Sequence, residues 1–241
     1  MKGILLDIQS SLRNMNFNIS TLSPEFARVV IVDPQKDFTI QHGGSLGVPG
    51  TEAGSGYIER VIEAMTFLKS CGFTILATQD WHPSNHLSFA SQHPNKKPFD
   101  TIMLIRTLLN MEEQFEQVLW PDHCVQGSEG AEFFITEDLI DFSFPKGTHK
   151  NFDSYSGIKD DGGIKTELHS HLKSLEKVAS LIIYGLATDY CVYATVMDAV
   201  DMGFDIILIN DLISAVHPEG GEKAIELMKA TGKVVVCDSI L

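Results

Sequence analysis

Short apolar runs alternate along this chain with stretches of helical periodicity. Val29 to Val32, Thr74 to Thr78, Ser180 to Tyr184, Asp205 to Ile209 and Val234 to Val236 are brief and rich in β-branched residues. Continuous runs of that length suit strands buried on both faces. Between them, Tyr57 to Cys71 carries apolar residues at Ile58, Val61, Ile62, Met65 and Leu68, the spacing of a helix that Gly72 ends. Ile164 to Val178 (on Leu168, Leu172 and Leu175), Tyr190 to Met202 and Pro218 to Ala230 read as helices too. Phe142 to Phe144 reads as a short strand and Ile135 to Ile140 as a short helix. Ile102 to Phe115 reads as an amphipathic helix with an acidic end, an excursion on the surface. Residues 39–53 form a glycine-rich loop without a phosphate-cradle pattern. Strands alternating with helices predict a parallel sheet covered on both faces. Residues 1–27 read as a peripheral extension with helical character over Ile4 to Leu12, and residues 28–241 as one α/β domain.

The polar residues that interrupt this pattern fall at strand ends. Asp33 follows the first run and precedes Pro34, where an aspartate is ordinarily a turn former. Asp80 and His82 follow the second run. Two residues apart in extended chain, they share a face and could chelate a metal. His86 and His93 are nearby candidates in a polar loop, and His123 is a candidate third ligand. Cys124 beside it reads as a buried structural thiol. Lys146, between Pro145 and Gly147, reads as a turn lysine unless it shares a pocket with Cys191. Cys191 lies in Gly185-Leu186-Ala187-Thr188-Asp189-Tyr190-Cys191, just past a central strand. Thr188 or Asp189 would cap the helix that follows. A thiol in that first turn meets unpaired amides and the positive end of the helix dipole, which favour the thiolate. A buried structural cysteine is the plainer alternative.

Net charge changes the picture of partners. The 241 residues carry 18 basic and 32 acidic side chains, a formal charge of −14. Such a surface repels phosphate backbones, so neither nucleic acid nor an anionic membrane is expected as a partner. The four cysteines show no paired spacing and read as reduced thiols of an intracellular, cytoplasmic protein (nuclear access is possible). No secretory signal and no membrane-spanning run is expected.

Six stretches together carry a resemblance: VDPQKDF (32–38), ATQDWHP (77–83), LWPDHCVQGS (119–128), PKG (145–147), DSYSG (153–157) and GLATDYCV (185–192). They are similar, in order, to the nicotinamidases of the isochorismatase-like cysteine hydrolase superfamily. The resemblance implies a three-layer α/β/α fold with a six-stranded parallel sheet. It implies a catalytic triad of Asp33, Lys146 and Cys191, in which Lys146 lowers the thiol pKa. A cis peptide would fall at Leu186-Ala187, and the amides of Ala187 and Cys191 would form an oxyanion hole. Asp80, His82 and His123 would hold one divalent metal ion, zinc first, with iron or manganese as alternatives. Phe38, Trp120 and Tyr155 would line the substrate pocket. Ile158 departs from the family pattern, which often has phenylalanine there. The implied activity is hydrolysis of nicotinamide to nicotinate and ammonia for NAD salvage, in a protein that could assemble as a homo-oligomer. The alternatives are a metal-free amidase or isochorismatase-type hydrolase of the same superfamily, a non-catalytic metal- or ligand-binding protein on this scaffold, and a redox-sensing thiol.

Overall fold

The computed structural model describes residues 22–108 and 111–240. The expected helical character of Ile4 to Leu12 lies outside them. The apolar runs become strands β1 (Ala27–Val32), β2 (Ile75–Asp80), β5 (Phe142–Lys146), β6 (Ser180–Leu186), β7 (Asp205–Ser214) and β8 (Val234–Cys237). They form a six-stranded sheet in the order β5-β2-β1-β6-β7-β8. Every neighbouring pair is parallel. The helices are α1 (Tyr57–Ser70), α2 (Glu167–Ser174), α3 (Tyr193–Asp201) and α4 (Pro218–Ala230).

Strand periodicity sorts the core into two layers. Val29, Ile31, Ile182 and Tyr184 pack with Val61, Met65 and Leu68 of α1. Val30, Val32, Leu181 and Ile183 pack on the other face with Leu168 and Leu172 of α2, Val196 of α3 and Met228 of α4. All seven residues of β6 are buried, so a continuous apolar run is what this position requires. Burial of each large aliphatic side chain contributes about 1.5–3 kcal/mol before chain entropy is counted.

Strand order reverses between β1 and β6. From β1 the chain winds outward through β2 and β5, and from β6 through β7 and β8. Open parallel sheets bind ligands outside the carboxyl ends of their strands at such a reversal. The crowding there is severe. Gly185 on β6 has φ +125°, and a Cβ on it would collide with the Val32 carbonyl of β1.

The segment read as a helix over Ile102 to Phe115 is instead an antiparallel hairpin outside the main sheet, β3 (Thr101–Leu108) with β4 (Met111–Val118). Ile102 and Leu104 are half-buried, while Met103 and Ile105 are exposed. Apolar residues on both faces hide the two-residue period that marks a strand. The helix expected from Tyr190 opens with a π-turn, Thr188–Val192, before α3 begins. The short helix expected at Ile135 to Ile140 is a single 3₁₀ turn, Glu137–Leu139.

Candidate active site

Four strand ends, those of β1, β2, β5 and β6, deliver the site. Asp33, just past β1, is fully buried with φ +47°, a left-handed conformation that aspartate tolerates better than most residues. Thr78 of β2 holds it twice. The threonine hydroxyl donates to Asp33 Oδ1 at 2.6 Å and accepts from the Asp33 amide at 3.0 Å. Lys146, the last residue of β5, is 2 % exposed and is no turn lysine. Its ammonium lies 3.0 Å from Asp33 Oδ2 and 2.5 Å from Asp80 Oδ1. It also donates to the Ser154 carbonyl at 2.8 Å and faces Cys191 Sγ at 3.4 Å. An oxygen of Asp33, one of Asp80 and Cys191 Sγ all lie within 4.8 Å of one another. One buried cation therefore joins two carboxylates and a thiol.

The electrostatics follow from that crowding. Burial alone would push the Lys146 ammonium down, but Asp33, Asp80 and the Cys191 sulfur outweigh it and hold its pKa well above the usual range. Burial raises the Asp33 carboxyl, with Lys146 opposing and Asp80 adding to the rise. Burial would raise Asp80 too, but Lys146 and His82 hold it well below the usual carboxylate range. The Cys191 thiol departs from the expectation of a lowered pKa. Burial pushes it well above the usual thiol range, and Asp33 and Asp80 add to a rise that Lys146 only partly offsets.

Asp80, His82 and His123 converge, all buried. His82 Nδ1 donates to the Gly147 carbonyl at 2.9 Å, and His123 Nδ1 donates to the Pro121 carbonyl at 2.8 Å. A carbonyl only accepts, so each Nδ1 carries a hydrogen, and in the neutral ring Nε2 is the nitrogen that offers a lone pair. Those Nε2 atoms stand 3.4 and 3.7 Å from Asp80 Oδ2. Two imidazoles oriented through backbone carbonyls, with one carboxylate, are a donor set that fits a divalent metal and leaves positions open. Burial alone would lower the His82 ring, but Asp80 outweighs it and raises its pKa. Gly147 makes room for this ring. Its φ is +64°, and a Cβ there would strike the His82 imidazole.

The other histidine candidates do not complete this set. His86 is buried beside His82, with ring centroids 4.2 Å apart. Both its nitrogens are engaged, Nδ1 with Ser88 Oγ at 2.7 Å and Nε2 with the Phe152 carbonyl at 3.1 Å. Burial, with help from His82, lowers its pKa to about 4. His93 ties down its own loop by bonding the Leu87 carbonyl at 2.7 Å. Cys124 is buried in the core, and its amide donates to Asp37 Oδ2 at 2.7 Å.

Above these groups is a cavity that Asp80, His82, His123, Ala187 and Cys191 help to line. Phe38, Trp120 and Tyr155 line it too. The Trp120 indole donates to the Tyr155 hydroxyl at 3.1 Å, and Phe38 meets His123 edge-on at 5.5 Å. Ile158 packs in the core and takes no part in the wall. The Leu186-Ala187 peptide is cis. No side chain caps the π-turn. Asp189 instead reaches across to accept from the amides of Val216 and His217 at 2.9 and 2.8 Å. Leu46, Asp153, Tyr190 and Val216 also line the cavity and were not singled out from the sequence. Leu46, Asp153 and Val216 come from loops with no spacing pattern and Tyr190 from the π-turn, although Asp153 and Tyr190 lie inside quoted motifs.

A parallel sheet that places a buried Asp–Lys–Cys cluster at its reversal point is one fold-and-site class, and the chain belongs to the isochorismatase family. A family model described as the isochorismatase domain matches residues 27–239. A nicotinamidase of Acinetobacter baylyi is 39 % identical over 208 residues, covering 85 % of this chain and 89 % of that one. Among solved structures, an Acinetobacter baumanii nicotinamidase/pyrazinamidase superposes with TM-score 0.76 at 35 % identity, covering 90 % of this chain and 97 % of that one. A Pyrococcus horikoshii pyrazinamidase in complex with zinc gives TM-score 0.67 at 33 % identity, covering 87 % and 97 %. Among the described residues, no helix is long and apolar enough to cross a membrane.

Proposed function

We propose that this protein hydrolyses nicotinamide to nicotinate and ammonia, with Cys191 as nucleophile. The observation that carries the reading is Lys146, a buried cation joining Asp33, Asp80 and Cys191 beneath an aromatic-walled cavity. An amide is a poor electrophile with a poor leaving group, and a sulfur nucleophile splits its hydrolysis into two easier steps. Asp33 takes the thiol proton as Sγ attacks the amide carbon. The amides of Ala187 and Cys191 hold the oxyanion. Asp33 passes the proton to the departing nitrogen, the C–N bond breaks, and ammonia leaves a thioester on Sγ. Asp33 then deprotonates the water that cleaves the thioester, and returns that proton to the sulfur. Lys146 balances the negative charge that moves between Asp33 and the sulfur.

Asp80, His82 and His123 hold the divalent metal, for which we favour zinc; bound there, it supplies a Lewis-acid anchor for a pyridine nitrogen. The zinc complex of the Pyrococcus pyrazinamidase supports this choice. Phe38, Trp120 and Tyr155 sandwich the flat ring. The domain spans residues 28–241. All four cysteines are free, which supports a reducing, cytoplasmic setting.

Ammonia release from nicotinamide tests the reading, measured with and without prior chelation. Release that chelation abolishes and zinc restores is expected. Undiminished release after metal removal would move the protein to a metal-free amidase, the second arrangement this scaffold admits.

A further inference from the structure

The turn that leads into the hairpin holds a residue that local folding does not explain. The Asp100 amide donates to the Lys97 carbonyl at 3.1 Å, closing a β-turn over Pro98 and Phe99. Proline stands at its second position, and Phe99 at its third with φ +72°. That is the arrangement of a type II turn, whose third position ordinarily belongs to glycine or asparagine. A bulky side chain there is strained, and such strain persists where the surroundings enforce it and often serves function.

The surroundings here are specific. The Phe99 amide donates to the Leu119 carbonyl at 2.5 Å, and the Leu119 amide to the Asp100 carbonyl at 2.8 Å, so the turn is stitched to the exit of β4. The Phe99 ring, 52 % exposed, meets Trp120 edge-on at 5.8 Å and His217 at 6.4 Å. Trp120 is a wall of the cavity, and His217 follows Val216, which also lines it. The amides of Val216 and His217 are both fixed by Asp189, two residues before the nucleophile. Phe99 therefore reaches from the hairpin arm to the segment anchored on the turn that carries Cys191.

We propose that Phe99 and His217 form the rim of this cavity and set the largest amide that reaches Cys191. The substrate side of this inference rests on the reading of the site as nicotinamide-hydrolysing. A ring held by its nitrogen at Asp80, His82 and His123, and by its 3-carboxamide at Cys191, turns its 5-position away from both. With the rim placed at Phe99 and His217, a 5-substituent on that edge is the group that meets it first. The strained turn keeps an aromatic ring in place where a glycine would leave a gap.

Two variants separate rim from scaffold. Phe99→Gly keeps the turn and relieves the strain, and Phe99→Ala keeps the strain and loses the ring. For both, and for His217→Ala, kcat/KM is measured for nicotinamide and for 5-phenylnicotinamide, with Met103→Ala on the exposed hairpin face as control. The ratio of the larger to the smaller amide is expected to rise about tenfold or more in the rim variants, the scale of steric discrimination in a pocket, and to stay at the parental value in the control. A second readout needs no substrate. The ratio of Cys191 alkylation by N-phenyliodoacetamide to that by iodoacetamide, followed on the Cys191 peptide by mass, should rise in the same variants. Should the parent leave nicotinamide intact, the proposed activity falls and the alkylation ratio alone decides on the rim. Parental ratios in Phe99→Gly and His217→Ala proteins of normal melting temperature would overturn the proposal.

Discussion

Lys146 Nζ stands 3.4 Å from Cys191 Sγ, and both groups are buried. The same ammonium is the cationic partner of Asp33 and Asp80. Removing it strands two buried carboxylates. Lys146→Met should therefore cost about 3–5 kcal/mol in urea unfolding, the range for breaking one side of a buried ion pair. Activity should fall about a hundredfold or more as charge compensation is lost. Parental stability in this variant would contradict the assigned network.

Cys191 reactivity should climb with pH. Burial and the two carboxylates hold the thiol pKa above the usual range, and only the thiolate reacts. In chelated protein, iodoacetamide labelling of the Cys191 peptide should still be rising at about pH 9. A plateau near neutrality would mean that Lys146 prevails over burial.

Thr78→Val removes the hydroxyl that donates to Asp33 Oδ1 at 2.6 Å while keeping the side chain's shape. A buried acceptor left without its donor costs about 1–3 kcal/mol. The ionised form of Asp33 loses a hydrogen bond, so its carboxyl pKa should rise further and the acid limb of the pH–rate profile should move to higher pH. Comparison of the two profiles checks this.

Gly147→Ala meets two penalties, a left-handed φ of +64° and a clash with the His82 ring. Strain alone costs about 1–2 kcal/mol. Displacement of His82 should weaken zinc binding about ten- to a hundredfold, which competition with a calibrated chelator would read. Unchanged affinity would separate His82 from the metal set.

Much of this site is legible along the chain because its groups sit where strands stop. Asp33, Asp80 and Lys146 each close or follow an apolar run, and parallel strands bring such ends to one edge. The six motifs supplied the pairing of those ends. The hairpin is hidden in the sequence because Met103 and Ile105 are apolar and exposed, which masks the alternation with Ile102 and Leu104. Asp189 looked like a helix cap, yet it serves amides 27 and 28 residues further on, a partner that no local pattern encodes. Leu46 and Val216 reach the cavity from loops, and only the folded chain shows them there. The direction of the Cys191 pKa was also hidden. The dipole and Lys146 are visible in sequence, but the depth of burial and the proximity of two carboxylates are not.

Acid-quenched mass spectrometry of the enzyme turning over nicotinamide tests the central claim most directly. The account predicts a nicotinoyl adduct on the Cys191 peptide, lost in Asp33→Asn and in Cys191→Ala, with ammonia release abolished in the latter. Ammonia release by Cys191→Ala at the parental rate, with no adduct on the parent, would contradict it.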